Sequence, residues 1–260
     1  VGAAVGVVGD YIDRTKALVD AGCDIIVIDI AHGHSTLAIE AIKNIKKQFG
    51  NSIQVVGGNV ATYRGAADLV AAGADAVKVG VGPGSICTTR KVTGCGVPQL
   101  SAILECSRIT KETGVPIIAD GGIRNSGDIV KALAAGASSV MAGNILGGTD
   151  ESPGQVINRD GKRFKAYRGM ASLGANWGRR VLDSKREQEV NINDIVPEGV
   201  EAFVPYRGSV YSILYQLSGG VKSGLSYNGS HSIAELQRKA QFIRVTNAGL
   251  KESGAHDVHN

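Results

Sequence analysis

The 260-residue sequence predicts an α/β protein of the (β/α)8 TIM-barrel class, with the barrel's first two strands not in this chain segment. Three observations predict it. Short apolar runs alternate with amphipathic helical patterns up to residue 148. The runs are nearly continuous in Val, Ile and Ala, as in parallel strands buried on both faces. Polar or glycine-rich residues follow almost every run: Asp29 with His32, Gly58-Asn59, Gly80–Cys87, Asp120–Gly122 and Gly143–Gly148. An open doubly wound sheet would concentrate function at one switch point, whereas a barrel gathers all such loops on one face. With function-bearing residues in five loops, the barrel fits better.

The predicted strands are Gly2–Val7, Ile25–Ile30, Ile53–Gly57, Ala76–Val79, Pro116–Ala119 and Ser139–Ala142. Between them lie predicted helices over Tyr11–Ala21, Ser35–Phe49, Tyr63–Ala72, Gln99–Thr113 and Ser126–Ala135. Three of these end on Ala-Gly (Ala21-Gly22, Ala72-Gly73, Ala135-Gly136), the usual C-terminal punctuation. Six strands fall two short of a closed barrel, hence the expectation of an incomplete N-terminal side. After Gly148 the rhythm stops. Residues 155–166 predict a hairpin around Arg159-Asp160-Gly161. Residues 176–193 are polar and non-periodic and read as a mobile flap. Val210–Ser226 and Ile233–Ala240 are helical patterns, and the tail 247–260 lacks a core pattern.

Composition narrows the function classes. A net charge of +4 with scattered Lys and Arg gives no basic block for nucleic acid. No apolar run approaches the ~18 residues of a membrane span. The four cysteines show no CxxC pair, and no secretory signal is seen. The expectation is a cytoplasmic protein with reduced thiols, without a disulfide framework or zinc site. Glycine is abundant, 36 of 260 residues, about twice its usual share. That suits short loops and backbone contacts to a ligand.

The densest chemistry lies in Gly80–Arg90. Glycines let backbone N–H groups approach an anion, and Cys87 beside them is placed to attack a bound electrophile. The competing view is a tight loop with Cys87 as a small apolar filler.

Motifs along the whole chain bear on this choice. Gly82-Pro83-Gly84-Ser85-Ile86-Cys87-Thr88-Thr89-Arg90 is followed by Gly94-Cys95-Gly96-Val97-Pro98-Gln99 and Ala119-Asp120-Gly121-Gly122-Ile123-Arg124. Then come Tyr167-Arg168-Gly169-Met170, Pro197-Glu198-Gly199-Val200-Glu201, Val204-Pro205-Tyr206-Arg207-Gly208 and Glu252-Ser253-Gly254-Ala255-His256-Asp257-Val258. Together they resemble the IMP dehydrogenase and GMP reductase family. The resemblance covers the catalytic barrel from its third strand onward, without the CBS modules that commonly interrupt it.

The resemblance implies roles for individual residues. Cys87 would add to C2 of the purine, and Thr89 would help activate water. Ser85, Gly122, Gly143, Asn144 and Tyr167 would hold the substrate phosphate, and Asp120 the ribose hydroxyls. Gly169, Met170 and Ala171 would meet the base through backbone groups, with Glu198 on the purine edge. Asp29, Asn59 and Gly80 would lie near the nicotinamide half of NAD. Carbonyls of Gly82, Gly84 and Cys87, with Glu252, Ser253 and Gly254 of a neighbouring subunit in a homotetramer, would hold K+. The pair His32 and His34 lacks a third ligand and points to a loop or adenosine contact instead of a metal.

Two reactions remain open within the family. After Met170-Ala171-Ser172 stands Leu173, where reductases carry a glutamate. This favours oxidation of IMP with NAD+. The flap, however, offers Arg179-Arg180-Val181 in place of the dehydrogenase Arg-Tyr pair. Arg180, then Arg179, is the expected water-activating residue. A non-catalytic nucleotide-binding homologue is the third alternative.

Overall fold

The computed structural model describes residues 1–184 and 192–254, with the backbone alone for 179–184 and 192. Its first half repeats one unit. The strands are β1 (Gly2–Val5), β2 (Ile25–Asp29), β3 (Gln54–Val60), β4 (Ala76–Val79), β5 (Ile117–Asp120) and β6 (Ser139–Met141). They form one six-stranded sheet in sequential order, every described pair parallel. Parallel crossovers are right-handed, so sequential order sends every connecting helix to the same face of the sheet. The result is the arc of a (β/α) barrel, not a doubly wound sheet.

Helices α1 (Tyr11–Asp20), α2 (Thr36–Phe49), α3 (Tyr63–Ala71), α5 (Gln99–Thr113) and α6 (Ser126–Ala134) cover that outer face, and a short α4 (Thr89–Thr93) follows the cysteine loop. Side-chain caps start three of them: Ser35 accepts from the Ala38 N–H, Thr62 from Gly65 and Asn125 from Asp128. Ile42, Ile45, Leu69, Val77, Ile103 and Ile117 are fully buried and fill the layer between helices and sheet.

The hairpin expected over 155–166 is present. Strands β7 (Val156–Arg159) and β8 (Lys162–Arg168) pair antiparallel, and Asp160 and Gly161 both take positive φ at the turn. A third strand, β9 (Glu201–Pro205), pairs with β8. It escaped the sequence reading because it is a short edge strand closed by proline. The segment expected as a non-periodic flap is helical where described: α7 spans Leu173–Ser184. Ser172 supplies its start signal, its Oγ accepting from the Ala175 N–H. The tail likewise carries a helix, α10 (Asn247–Glu252), capped by Thr246. Helices α8 (Val210–Tyr227) and α9 (Ile233–Lys239) lie where expected and pack on α6.

Leu69 is fully buried between α3 and the sheet. Leu69→Ala is expected to lower stability by about 2–5 kcal/mol, read as a lower urea midpoint with an unchanged m-value.

Candidate active site

Strand ends on the inner face converge on one charged group. Lys78 of β4 is only 2% exposed. Its ammonium donates to Asp29 Oδ1 at 2.9 Å, Asn59 Oδ1 at 2.5 Å and Asp120 Oδ2 at 2.5 Å. Asn59 turns its amide nitrogen the other way, to Asp120 Oδ2 at 2.9 Å and the Gly80 carbonyl at 2.8 Å. A shift of register between β3 and β4 at Gly58/Val60 lies where Asn59 enters this network. The structure thus brings together Asp29, Asn59, Gly80 and Asp120, all expected site residues. Lys78 was not among them. A lysine inside Ala76-Val77-Lys78-Val79 was the available signal, because a buried charge requires partners.

Gly80 turns the chain out of β4 with φ of 151°, and a Cβ there would stand 2.1 Å from the Asp120 carbonyl oxygen. Only glycine permits that approach. Gln99 locks the same two strand ends, its amide donating to Val79 O at 2.9 Å and Asp120 O at 3.1 Å.

The cysteine loop follows. Cys87 is partly buried, and its Sγ donates to Thr89 Oγ1 at 3.2 Å. Thr89 in turn donates to Glu198 Oε2 at 2.7 Å. The segment around Glu198 runs beside the loop: Thr88 N–H donates to Glu198 O at 2.8 Å, and Val200 N–H to Ile86 O at 3.1 Å. Glu198 N–H donates to Ala171 O at 3.0 Å, so the Gly169–Ala171 turn is drawn to the same place. Met170 in that turn is exposed. Arg90 ties both ends of the loop, donating to Val97 O at 2.5 Å and Val81 O at 3.4 Å. Its side chain fills the space that Cβ atoms at Gly82 and Gly96 would need.

A third group gathers beside β8. The Tyr167 hydroxyl lies near Ser85 and faces Gly143, 3.0 Å from where a Cβ would stand. Burial pushes the Tyr167 phenol above its ordinary range, against the lowering influence of Ser85 and Arg207, so it stays a neutral donor. Asn144 opens a short 3₁₀ turn whose carbonyls are held by Arg207. Gly122 lies across the cysteine loop's Pro83 and Gln99. A cleft of ≈ 760 Å³ opens here, lined by Gly143, Gly147, Gly148, Ser152, Tyr167 and Arg168 among others.

Other expected residues lie apart. Ser253 Oγ donates to Gly249 O at 2.7 Å and the Gly254 N–H to Lys251 O at 3.3 Å, both within the α10 segment. The side chains of Arg179 and Arg180 lie outside the described residues. His34 pairs with Asp68 at 2.7 Å. Among the described residues no group of three metal-ligating side chains occurs, and no helix is long and apolar enough to cross a membrane.

Removing the Lys78 charge leaves two carboxylates facing each other. Lys78→Met is expected to cost toward the low end of about 3–5 kcal/mol, because Asp29 is half exposed; thermal unfolding measures it. The thiols should also separate chemically. Burial pushes Cys106 up to about 12. Iodoacetamide at neutral pH should label Cys87 and Cys95 and spare Cys106, as read by peptide mass mapping.

Comparison with known proteins shows the family and the fold. The model of the IMP dehydrogenase / GMP reductase domain matches residues 1–256. Inosine-5'-monophosphate dehydrogenase of Nitrosopumilus maritimus is 58% identical over 99% of this chain and 54% of its own length. GMP reductase of Leishmania donovani is 54% identical over 99% of this chain and 52% of its own. A crystal structure of a cysteine-to-alanine variant of Trypanosoma brucei GMP reductase with guanosine 5'-monophosphate superposes with a TM-score of 0.91 at 52% identity, covering 99% of this chain and 52% of that one. The chain therefore spans about half the length of the relatives it matches. With the matched model running almost end to end and the strand-end site in place, the chain belongs to the IMP dehydrogenase / GMP reductase family.

Proposed function

We propose that this chain carries the catalytic site of an NAD-dependent IMP dehydrogenase, which converts IMP to XMP through a covalent adduct on Cys87. The observation that carries this reading is the chain of hydrogen bonds from Cys87 through Thr89 to Glu198. Each donor points toward the carboxylate, so a proton leaving the thiol has a path and the sulfur becomes nucleophilic.

The sulfur adds to purine C2, and the C2 hydrogen departs with its electron pair. A bound nicotinamide dinucleotide supplies the acceptor for that hydride. Water then attacks the same carbon, the C2–S bond breaks, and XMP leaves with the thiol restored. In the second half Thr89 and Glu198 are placed to take the proton from water. Arg180, with Arg179 as the next candidate, is proposed to assist from α7.

Substrate recognition follows the geometry. Both described side-chain bonds of Asp120 fall on Oδ2, which leaves Oδ1 for the ribose hydroxyls. Ser85, Tyr167, Gly143, Gly122 and Asn144 form the phosphate corner, and Gly169, Met170 and Ala171 the base contact. Asp29 is held by Lys78 yet half exposed, a carboxylate suited to the hydroxyls of a second ribose. With Asn59 and Gly80 it forms a rim that fits the nicotinamide half of NAD. Carbonyls of Gly82, Gly84 and Cys87 suit a weakly hydrated ion such as K+. We place Glu252, Ser253 and Gly254 of an adjacent copy on that ion, and propose a homotetramer and a cytoplasmic location for the enzyme.

The reductase is the second reading, favoured by the GMP reductases among the relatives and by the missing Arg-Tyr pair. Leu173 after Ser172 speaks against it. IMP with NAD+ and K+ should yield NADH absorbance and XMP. Turnover of GMP with NADPH in its place would reverse the choice. Cys87→Ala should reduce either reaction to background. Glu198→Gln should slow turnover by about 10²–10⁴-fold.

A further inference from the structure

Lys165 is a second buried lysine, and the proposed chemistry does not use it. It lies on β8 and is 5% exposed. Its ammonium donates to Thr149 O at 2.7 Å, Ser152 O at 2.8 Å and Asp150 O at 3.3 Å. Three N–H groups meet three carbonyls, so no donor remains for a ligand. No carboxylate among the described residues pairs with it. A charge left without a counter-ion in this way must hold its carbonyl cage closely.

What the cage fixes is the other end of the same segment. Tyr167 lies two residues along β8 and so shares the face of Lys165. Its ring crosses Gly147, where a Cβ would stand 3.0 Å from Cδ2, and its hydroxyl faces Gly143. Residues 143–152 therefore wrap one face of β8 and are gripped at two points, by Tyr167 and by Lys165. Asp150 and Glu151 anchor the loop further, accepting from the Tyr206 hydroxyl at 2.5 Å and the Val210 N–H at 2.8 Å.

We infer that Lys165 is a positioning residue for phosphate recognition: by gathering three loop carbonyls it sets the distance between Tyr167 and the Gly143 backbone. The inference rests on the phosphate corner proposed above. Recognition by hydroxyls and backbone N–H groups held at fixed distances tolerates displacements of only about 0.5 Å, so a loosened loop should cost affinity for the phosphate and little else.

The test compares nucleotides with their nucleosides. Dissociation constants for IMP, GMP, inosine and guanosine are measured by calorimetry on the full-length protein and on Lys165→Met. The variant should bind the nucleotides about tenfold or more weakly and the nucleosides within about twofold of the parent. In steady-state turnover over a range of IMP concentrations, KM should rise more than kcat falls. Should Lys165→Met fail to fold, Lys165→Arg keeps the charge but not the three-carbonyl fit, and the same ratio is read. Equal losses for nucleotide and nucleoside, or no loss, overturn the role of Lys165. A parent protein that does not prefer nucleotide over nucleoside overturns the phosphate corner itself.

Discussion

A lysine in the middle of a buried strand constrains everything around it. Asp29 and Asp120 reach the Lys78 ammonium from β2 and β5, with Asn59 of β3 between them. Such a cluster is costly to desolvate and adds little net stability. Its effect is geometric. Four neighbouring strands must hold their register for the acceptors to meet one ammonium, and the side chains that satisfy it form the rim at which we propose a substrate rests. The same demand gives Asp120 a fixed orientation, with Oδ2 committed inward.

The rest of the site is attached to that rim by segments distant in sequence. Gly80 and Gln99 hold the strand ends together, and Arg90 pins the cysteine loop at both flanks. Glu198, 109 residues from Thr89, is brought to it by backbone bonds between 86–88 and 198–200. The small antiparallel sheet is part of this arrangement, since β8 carries Tyr167 and β9 continues the strand of chain that begins at Glu198. The strand ends of the barrel carry Asp29, Asn59 and Asp120, while the added sheet carries Tyr167 on β8 and is entered from the segment that holds Glu198.

Much of this was legible in the sequence. Continuous apolar runs marked the six parallel strands, and Asp160-Gly161 marked the hairpin. Many of the residues that meet at the site stand in motifs at a strand end or in the loop after it, as Asp120 and Gly80 do. What stayed hidden depended on tertiary contact. The strand β9 has no alternation to reveal it, ending as it does in proline at a sheet edge. The helix α7 begins on a serine cap but carries two glycines, Gly174 and Gly178, whose poor helix propensity masks it in the sequence. Lys78 and Lys165 carry buried charges on β4 and β8. In both cases the partners lie on other elements and leave no local trace.

The central claim is that Cys87 forms a bond to purine C2 during turnover. Rapid quench of the protein with IMP and NAD+, followed by peptide mass mapping, tests it directly. The account predicts a nucleotide adduct on the peptide containing Cys87, appearing and decaying within the time of one turnover. Turnover without any adduct, or an adduct confined to Cys23, Cys95 or Cys106, would contradict it.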